Sequence, residues 1–218
     1  MLFDLEISVY LEALYDTVYM TIISSIFVFI FGLILGALLY STDKNGLWEN
    51  KIVNNVLSIT TSGLRSIPFL ILIVLLIPFT RIIIGTILGP TAALPALIIG
   101  ATPFYARLVE IALNETGEDL KETGLSFGAT KFQVLAKILI PESLPALLRG
   151  ITVTAIAITG YTSIAGAIGA GGLGNLAYLY GYARNRLNVT IIATVLIALF
   201  ILIIQIIGDQ AVKKTSKK

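Results

Sequence analysis

Histidine and cysteine are both absent from this 218-residue chain, and charged residues make up only 13% of it. Without thiols there are no disulfides, thiolate nucleophiles or thiolate metal sites. Without imidazole there is no serine–histidine dyad and none of the usual zinc ligand sets. No G-x-x-x-x-G-K-[ST] stretch occurs, so the chain lacks the usual cradle for ATP. Residues 1–16 hold Asp4, Glu6, Glu12 and Asp16 but no lysine or arginine. They lack the basic start and small-residue cleavage site of a secretory signal, so the first apolar stretch is expected to stay in the mature protein. These absences point away from an enzyme and leave no cofactor or metal site expected on this chain.

What is present is apolar: 56% of the residues are hydrophobic and the mean hydropathy is +0.93. A bilayer core needs about 20 apolar residues per helix. Thr17–Thr42, Ile82–Ala106, Gly150–Ala183 and Leu187–Gly208 carry no charge, and Ile52–Thr80 is broken only by Arg65. The expected fold class is therefore an all-α membrane protein with five transmembrane helices, in one domain over residues 1–218. Eleven of the fifteen lysines and arginines follow span one, surround the loop after span three, or form the tail ending at Lys218. By the positive-inside rule this places the N-terminus outside, the C-terminus in the cytoplasm and residues about 114–145 in the longest cytoplasmic loop. The KKTSKK tail is read as a topology determinant beside anionic headgroups, with no nucleic-acid partner expected.

Span one, about Asp16 to Tyr40, spaces Gly32 and Gly36 for close helix packing. STDKNG (41–46) is a cytoplasmic turn, with Trp48 near headgroup level on the return. Span two starts polar, and Asn54, Asn55, Thr60, Thr61 and Ser62 are expected to face protein or a wet cavity rather than lipid. Arg65-Ser66-Ile67-Pro68 follows, where the arginine must snorkel, pair or line a pathway. Residues 78–93 are too punctuated by proline and glycine to span and read as an external loop with an interfacial helix. Span three, about Ala93 to Leu113, ends with Arg107 and Glu110 spaced for a local ion pair. Span four, about Ala146 to Ile168, carries threonines and should be enclosed by other helices. Gly169, Gly171 and Gly174 then satisfy G-x-G-x-x-G with no strand before them, so the stretch reads as a flexible outer loop instead of a dinucleotide site. Tyr178, Tyr180 and Tyr182 fit an interfacial belt or a docking surface. Span five is Val189–Ile207, interrupted only by Gln205.

The spans hold few ionisable groups beyond Arg65, which argues against proton or ion coupling by this chain alone. Uphill transport would then need energy from another subunit, and a passive channel is the alternative. The cytoplasmic loop resolves by local rules into two helices. Asp119–Phe127 is one, ended by Gly128 in a left-handed turn. Thr130 and Gln133 form a capping box that opens the other, with Phe132, Leu135, Ala136 and Leu139 as its apolar face. Pro141 is expected to stop it, and Ser143 with Pro145 to start span four.

Within this loop Glu122-Thr123-Gly124, three residues, Gly128, nine more, then Ile138-Leu139-Ile140-Pro141 resembles the EAA loop of binding-protein-dependent ABC importer permeases. Thr123 and Gly124 stand where that pattern has alanines, and Ile140 where it has leucine. RSIPF (65–69), IPFTRIIIGT (77–86), GATPFYARLVE (100–110), GYTSIAGAIGAGGLG (160–174) and YGY (180–182) are similar to the methionine-importing branch of the family. The resemblance implies a homodimer in the bacterial cytoplasmic (inner) membrane, two cytoplasmic ABC ATPase subunits that bind the ATP and Mg, and an external substrate-binding protein. It implies that Leu120, Glu122, Thr123, Gly124, Phe127, Gly128, Ile138 and Pro141 form the ATPase-coupling element. Glu122 then has two open roles, pairing with a basic group on the ATPase or bonding amides inside the loop. Gly160, Tyr161, Ser163 and Ile164, with Arg65 and Ser66, would line the pathway. The implied cargo is methionine, the alternatives being another amino acid or small nutrient.

Overall fold

Two long helices form the spine, α1 (Ile7–Thr42) and α5 (Pro90–Ser126), in a computed structural model that describes residues 5–215 apart from the side chain of Glu118. Asp4 at the acidic start and Lys217 and Lys218 of the tail lie outside the described residues. α1 meets α5 through the two spaced glycines. A Cβ at Gly32 would come within 2.6 Å of the Tyr105 ring, and one at Gly36 within 2.5 Å of Val109 Cβ. Bare backbone at both positions lets the axes approach, and Tyr105, Ala106 and Val109 are wholly buried in the seam. On the opposite face of α1, Ile22, Ile26, Ile30, Ile34 and Leu38 recur every four residues and stay exposed. That stripe suits lipid tails, whereas Thr17, Thr21 and Ser24 are turned inward.

α1 begins more than two turns before the expected start of span one. Its first turns are held by tertiary packing, with Tyr10 and Ala13 in one cluster with Leu173, Leu176, Val189 and Ala193. Span two, expected as one helix, is broken. α2 (Lys51–Ser66) and α3 (Phe69–Leu75) meet at 105°. The cause is Pro68, which pushes Ile67 into extended backbone at φ −83° and ψ 122°. α4 (Ile77–Ile84) is the short helix expected in the punctuated stretch, ended by Gly85 in the left-handed region. After α5 come α6 (Lys131–Gln133), a π turn (Val134–Leu139), α7 (Ile140–Glu142) and α8 (Leu144–Ala165), which runs into a second π turn (Gly166–Ala170). α9 (Gly172–Asn175), a third π turn (Leu176–Tyr182) and α10 (Leu187–Thr215) complete the chain. Among the described residues four helices are long and apolar enough to cross a membrane, and the bent α2–α3 pair makes a fifth if it counts as one span.

The expectation for α8 holds: Thr154, Thr159 and Thr162 are buried, and each bonds a carbonyl of its own helix at 2.7–3.0 Å. The flexible outer loop is corrected. Residues 169–182 fold back as short helical turns against α1, with Gly172, Leu173 and Gly174 buried. The Thr17 hydroxyl accepts from the Leu173 amide at 2.8 Å, and Gly174 lies directly on the Ser163 backbone. The glycines serve close approach here, not mobility.

Candidate functional site

The loop joining α5 to α8 is built by three local devices. α5 does not stop near Leu113 and restart at Asp119, as expected. It continues unbroken to Ser126, because Gly117 serves contact with the Tyr40 hydroxyl, at 2.9 Å from a would-be Cβ, and nothing nearby breaks the helix. Gly128 then takes φ +84°. Its amide donates to the Leu125 carbonyl at 3.0 Å and that of Ala129 to the Gly124 carbonyl at 3.1 Å, the two bonds of a Schellman motif. The capping box is present as expected: Thr130 Oγ1 accepts from the Gln133 amide at 3.3 Å, and Gln133 Oε1 accepts from the Thr130 amide at 2.9 Å.

Beyond the box two expectations fail for one reason. Pro141 does not stop the helix; the chain passes through it into α7. Pro141 has no amide to donate and its ring would crowd the carbonyl four residues back in an α-helix. The preceding π turn, in which the Ile140 amide bonds the Leu135 carbonyl five residues back, widens the backbone before it. The same widening moves the apolar face, so that Val134 and Leu139, five apart, are buried while Phe132 is 68% exposed. Ser143 does not cap α8 with its side chain either; its hydroxyl donates to the Ala112 carbonyl at 3.4 Å and ties the returning chain to α5.

The expected coupling residues therefore divide. Gly124, buried, and Ile138, half-buried, lie between the two arms: a Cβ on Gly124 would stand 2.8 Å from Ile138 Cδ1. Glycine in place of alanine tightens this joint. Leu120 is half-buried, whereas Glu122, Thr123, Gly128 and Pro141 are exposed, and Phe127 is 88% exposed at the tip. The Glu122 side chain makes no hydrogen bond or ion pair among the described residues. Lys121 Nζ donates to the Asn45 carbonyl at 2.8 Å, which anchors the loop to the turn after α1.

The expected pathway residues also divide. Arg65, Ser66 and Tyr161 line one cavity of about 410 Å³ with Phe69, Gly100 and Phe104. Phe69 and Tyr161 stack at 4.5 Å between ring centres. Gly160 and Ile164 are exposed on α8 outside that cavity, and the Ser163 hydroxyl bonds the Thr159 carbonyl at 3.3 Å. A second cavity of about 330 Å³ shares Ser62 and Arg65 with the first and adds Ser58, Thr61, Arg107 and Glu110. The polar face of α2 meets this cavity as expected. Asn54 turns instead to α1, where Nδ2 donates to the Leu39 carbonyl at 3.0 Å, while Asn55 and Thr60 are exposed. The Arg107–Glu110 pair forms at 2.6 Å. Reading along the chain finds that pair by its spacing but misses its meeting with Arg65, since the two lie on different helices.

Helices sheathed in aliphatic side chains, polar groups turned inward and a broken helix beside inner cavities define a multi-span helical membrane permease. The profile of the family described as binding-protein-dependent transport system inner membrane component matches residues 29–217. The chain belongs to that family. It is 60% identical over 172 residues to the methionine import system permease protein MetP of Bacillus subtilis, covering 79% of this chain and 78% of that one. It is 42% identical over 211 residues to the probable D-methionine transport system permease protein MetI of Haemophilus influenzae, covering 97% and 99%. Among solved structures, an inward-facing conformation of the MetNI methionine ABC transporter matches with a TM-score of 0.94 at 40% identity, covering 96% and 97% of the two chains.

Proposed function

We propose that this chain is the membrane subunit of an ATP-driven methionine importer in a bacterial inner membrane. It works as a homodimer with two cytoplasmic ATPase subunits, which carry the ATP and Mg, and an external binding protein that delivers the amino acid. The N-terminus lies outside and the C-terminus inside, as the lysine and arginine distribution requires. Residues about 114–145 are the coupling loop of a single permease domain. The observation that carries this reading is the tip of that loop, where Phe127 and Phe132 stand out in water on a corner fixed by the Schellman motif and capping box. Exposed aromatics on a rigid mount mark a surface that a partner covers.

α5 is continuous from Pro90 to Ser126, so a push on the tip travels along one helix into the spine beside α1. The return arm passes the same push through α7 to α8, which carries Tyr161. Closure of the ATPases on nucleotide would thus bias the permease between inward- and outward-open states. Glu122, exposed and unpaired among the described residues, is assigned to a basic group on the ATPase. Arg65, Ser66 and Tyr161 line the pathway, with Gly160, Ser163 and Ile164 facing it in the assembled dimer.

The test is ATP hydrolysis by the reconstituted complex with its binding protein. Methionine is expected to stimulate it several-fold and other amino acids much less. No response to methionine would remove the substrate assignment, and methionine flux without any ATPase subunit would make the chain a passive channel.

A further inference from the structure

We propose that the cavity holding Arg65, Arg107 and Glu110 binds the charged head of a free α-amino acid, whose side chain occupies the adjoining aromatic cavity. This inference rests on the reading of the chain as an amino-acid importer and adds a binding site on the permease itself.

Glu110 is only 6% exposed, and its two oxygens differ. Oε1 accepts from Arg107 Nη1 at 2.6 Å, whereas Oε2 is buried with no hydrogen-bond partner among the described residues. A carboxylate oxygen taken from water and left without a donor is costly, and such groups in native proteins call for an explanation. Arg65, across the same cavity, has no ion-pair partner among the described residues. Its guanidinium offers a fork of donors and accepts nothing. The cavity thus holds one carboxylate with an unpartnered oxygen and one exposed guanidinium with no carboxylate beside it among the described residues. A small anion would meet Glu110, and a small cation would meet both arginines. A molecule bearing ammonium and carboxylate on one carbon answers both groups and adds no net charge. The ammonium goes to Glu110 and the carboxylate to Arg65.

The adjoining cavity supplies the rest of the site. It opens from the same Ser62 and Arg65 and is walled by Phe69, Phe104 and Tyr161. Aromatic edges and faces attract a polarisable thioether, so an unbranched side chain carrying one fits these walls better than a charged one. Arg65 stands at the junction and orients head and tail. The bend at Pro68 places this junction, since it ends α2 at Ser66 and turns Phe69 across toward α8.

The experiment uses a diazirine analogue of methionine, irradiated with the purified permease–ATPase complex in lipid nanodiscs without binding protein. Adducts are expected on residues 58–69 and 100–110 and on Tyr161. Excess methionine should suppress them, and analogues lacking either the amine or the carboxylate should not. Glu110→Gln and, independently, Arg65→Gln are expected to cut the adduct yield about tenfold, the factor that one charge-assisted hydrogen bond carries. Arg65 is exposed, so its variant keeps the test valid if Glu110→Gln fails to fold. Adducts elsewhere, or an unchanged yield in Arg65→Gln, would overturn the site. ATP hydrolysis with methionine-loaded binding protein is measured on the same preparation. Stimulation without adducts overturns the site and leaves the importer reading intact; adducts without stimulation do the reverse, and absence of both overturns both.

Discussion

Replacement of Gly36 by leucine is expected to lower the unfolding temperature of the protein sharply. Even the first carbon of a side chain there would strike the Ala106 carbonyl and come within 2.5 Å of Val109 Cβ. A neighbouring rotamer can swing aside, but a backbone carbonyl inside a helix moves only with the helix. Overpacking a tight core typically costs about 1–3 kcal/mol, and a backbone obstacle puts leucine at or beyond the upper end. Against a total stability on the order of 10 kcal/mol, a loss of roughly 3 kcal/mol or more raises the unfolded fraction over a hundredfold. Thermal unfolding in detergent, with Gly63→Leu as control, checks it. Nothing lies within 4 Å of a Cβ built at Gly63, so that variant should match the parent. Equal melting of both variants would mean that the α1–α5 seam is looser than described.

Gly128→Val is expected to insert and fold yet lose ATP-driven uptake. A side chain at Gly128 meets nothing within 4 Å, so the fold has no steric objection to it. The obstacle is φ +84°, a conformation that costs an L-residue about 1–2 kcal/mol and a β-branched one more. Valine escapes that cost by opening the corner, which breaks the Gly128–Leu125 and Ala129–Gly124 bonds and re-aims Phe127. Gly128→Asn tolerates the left-handed region and should retain substantial uptake. Transport in proteoliposomes separates the two, provided both variants bind detergent and elute as the parent does. Full uptake by Gly128→Val would refute the rigid corner as the transmitting element.

Legibility along the chain follows the range of the interaction. The turn at Gly128 and the Thr130–Gln133 box are complete within a few residues, and both are present where the residue types placed them. The π turn before Pro141 is not local in that sense. It reconciles a missing amide with the burial of Val134 and Leu139 against α5, a demand visible only once the arms are packed. Glycine was the most ambiguous residue. At 128 it marks a left-handed turn, at 32 and 36 a helix contact, and at 166 and 174 a backbone crossing that composition alone reads as looseness. The candidate site divides in the same way. Arg107 and Glu110 are paired by their spacing on one helix, but their convergence with Arg65 depends on how α2 packs against α5.

The claim that the loop tip is where the ATPase acts is tested most directly by a thiol. The chain has no cysteine, so Phe127→Cys carries the only thiol on the permease, and Tyr182→Cys, 74% exposed on the far side of the fold, serves as its counterpart. Maleimide labelling of each is followed in membranes with and without the ATPase subunits. Protection of position 127 by the ATPase, with position 182 labelled equally in both, is the predicted result; equal labelling of position 127 with and without the ATPase would contradict the account.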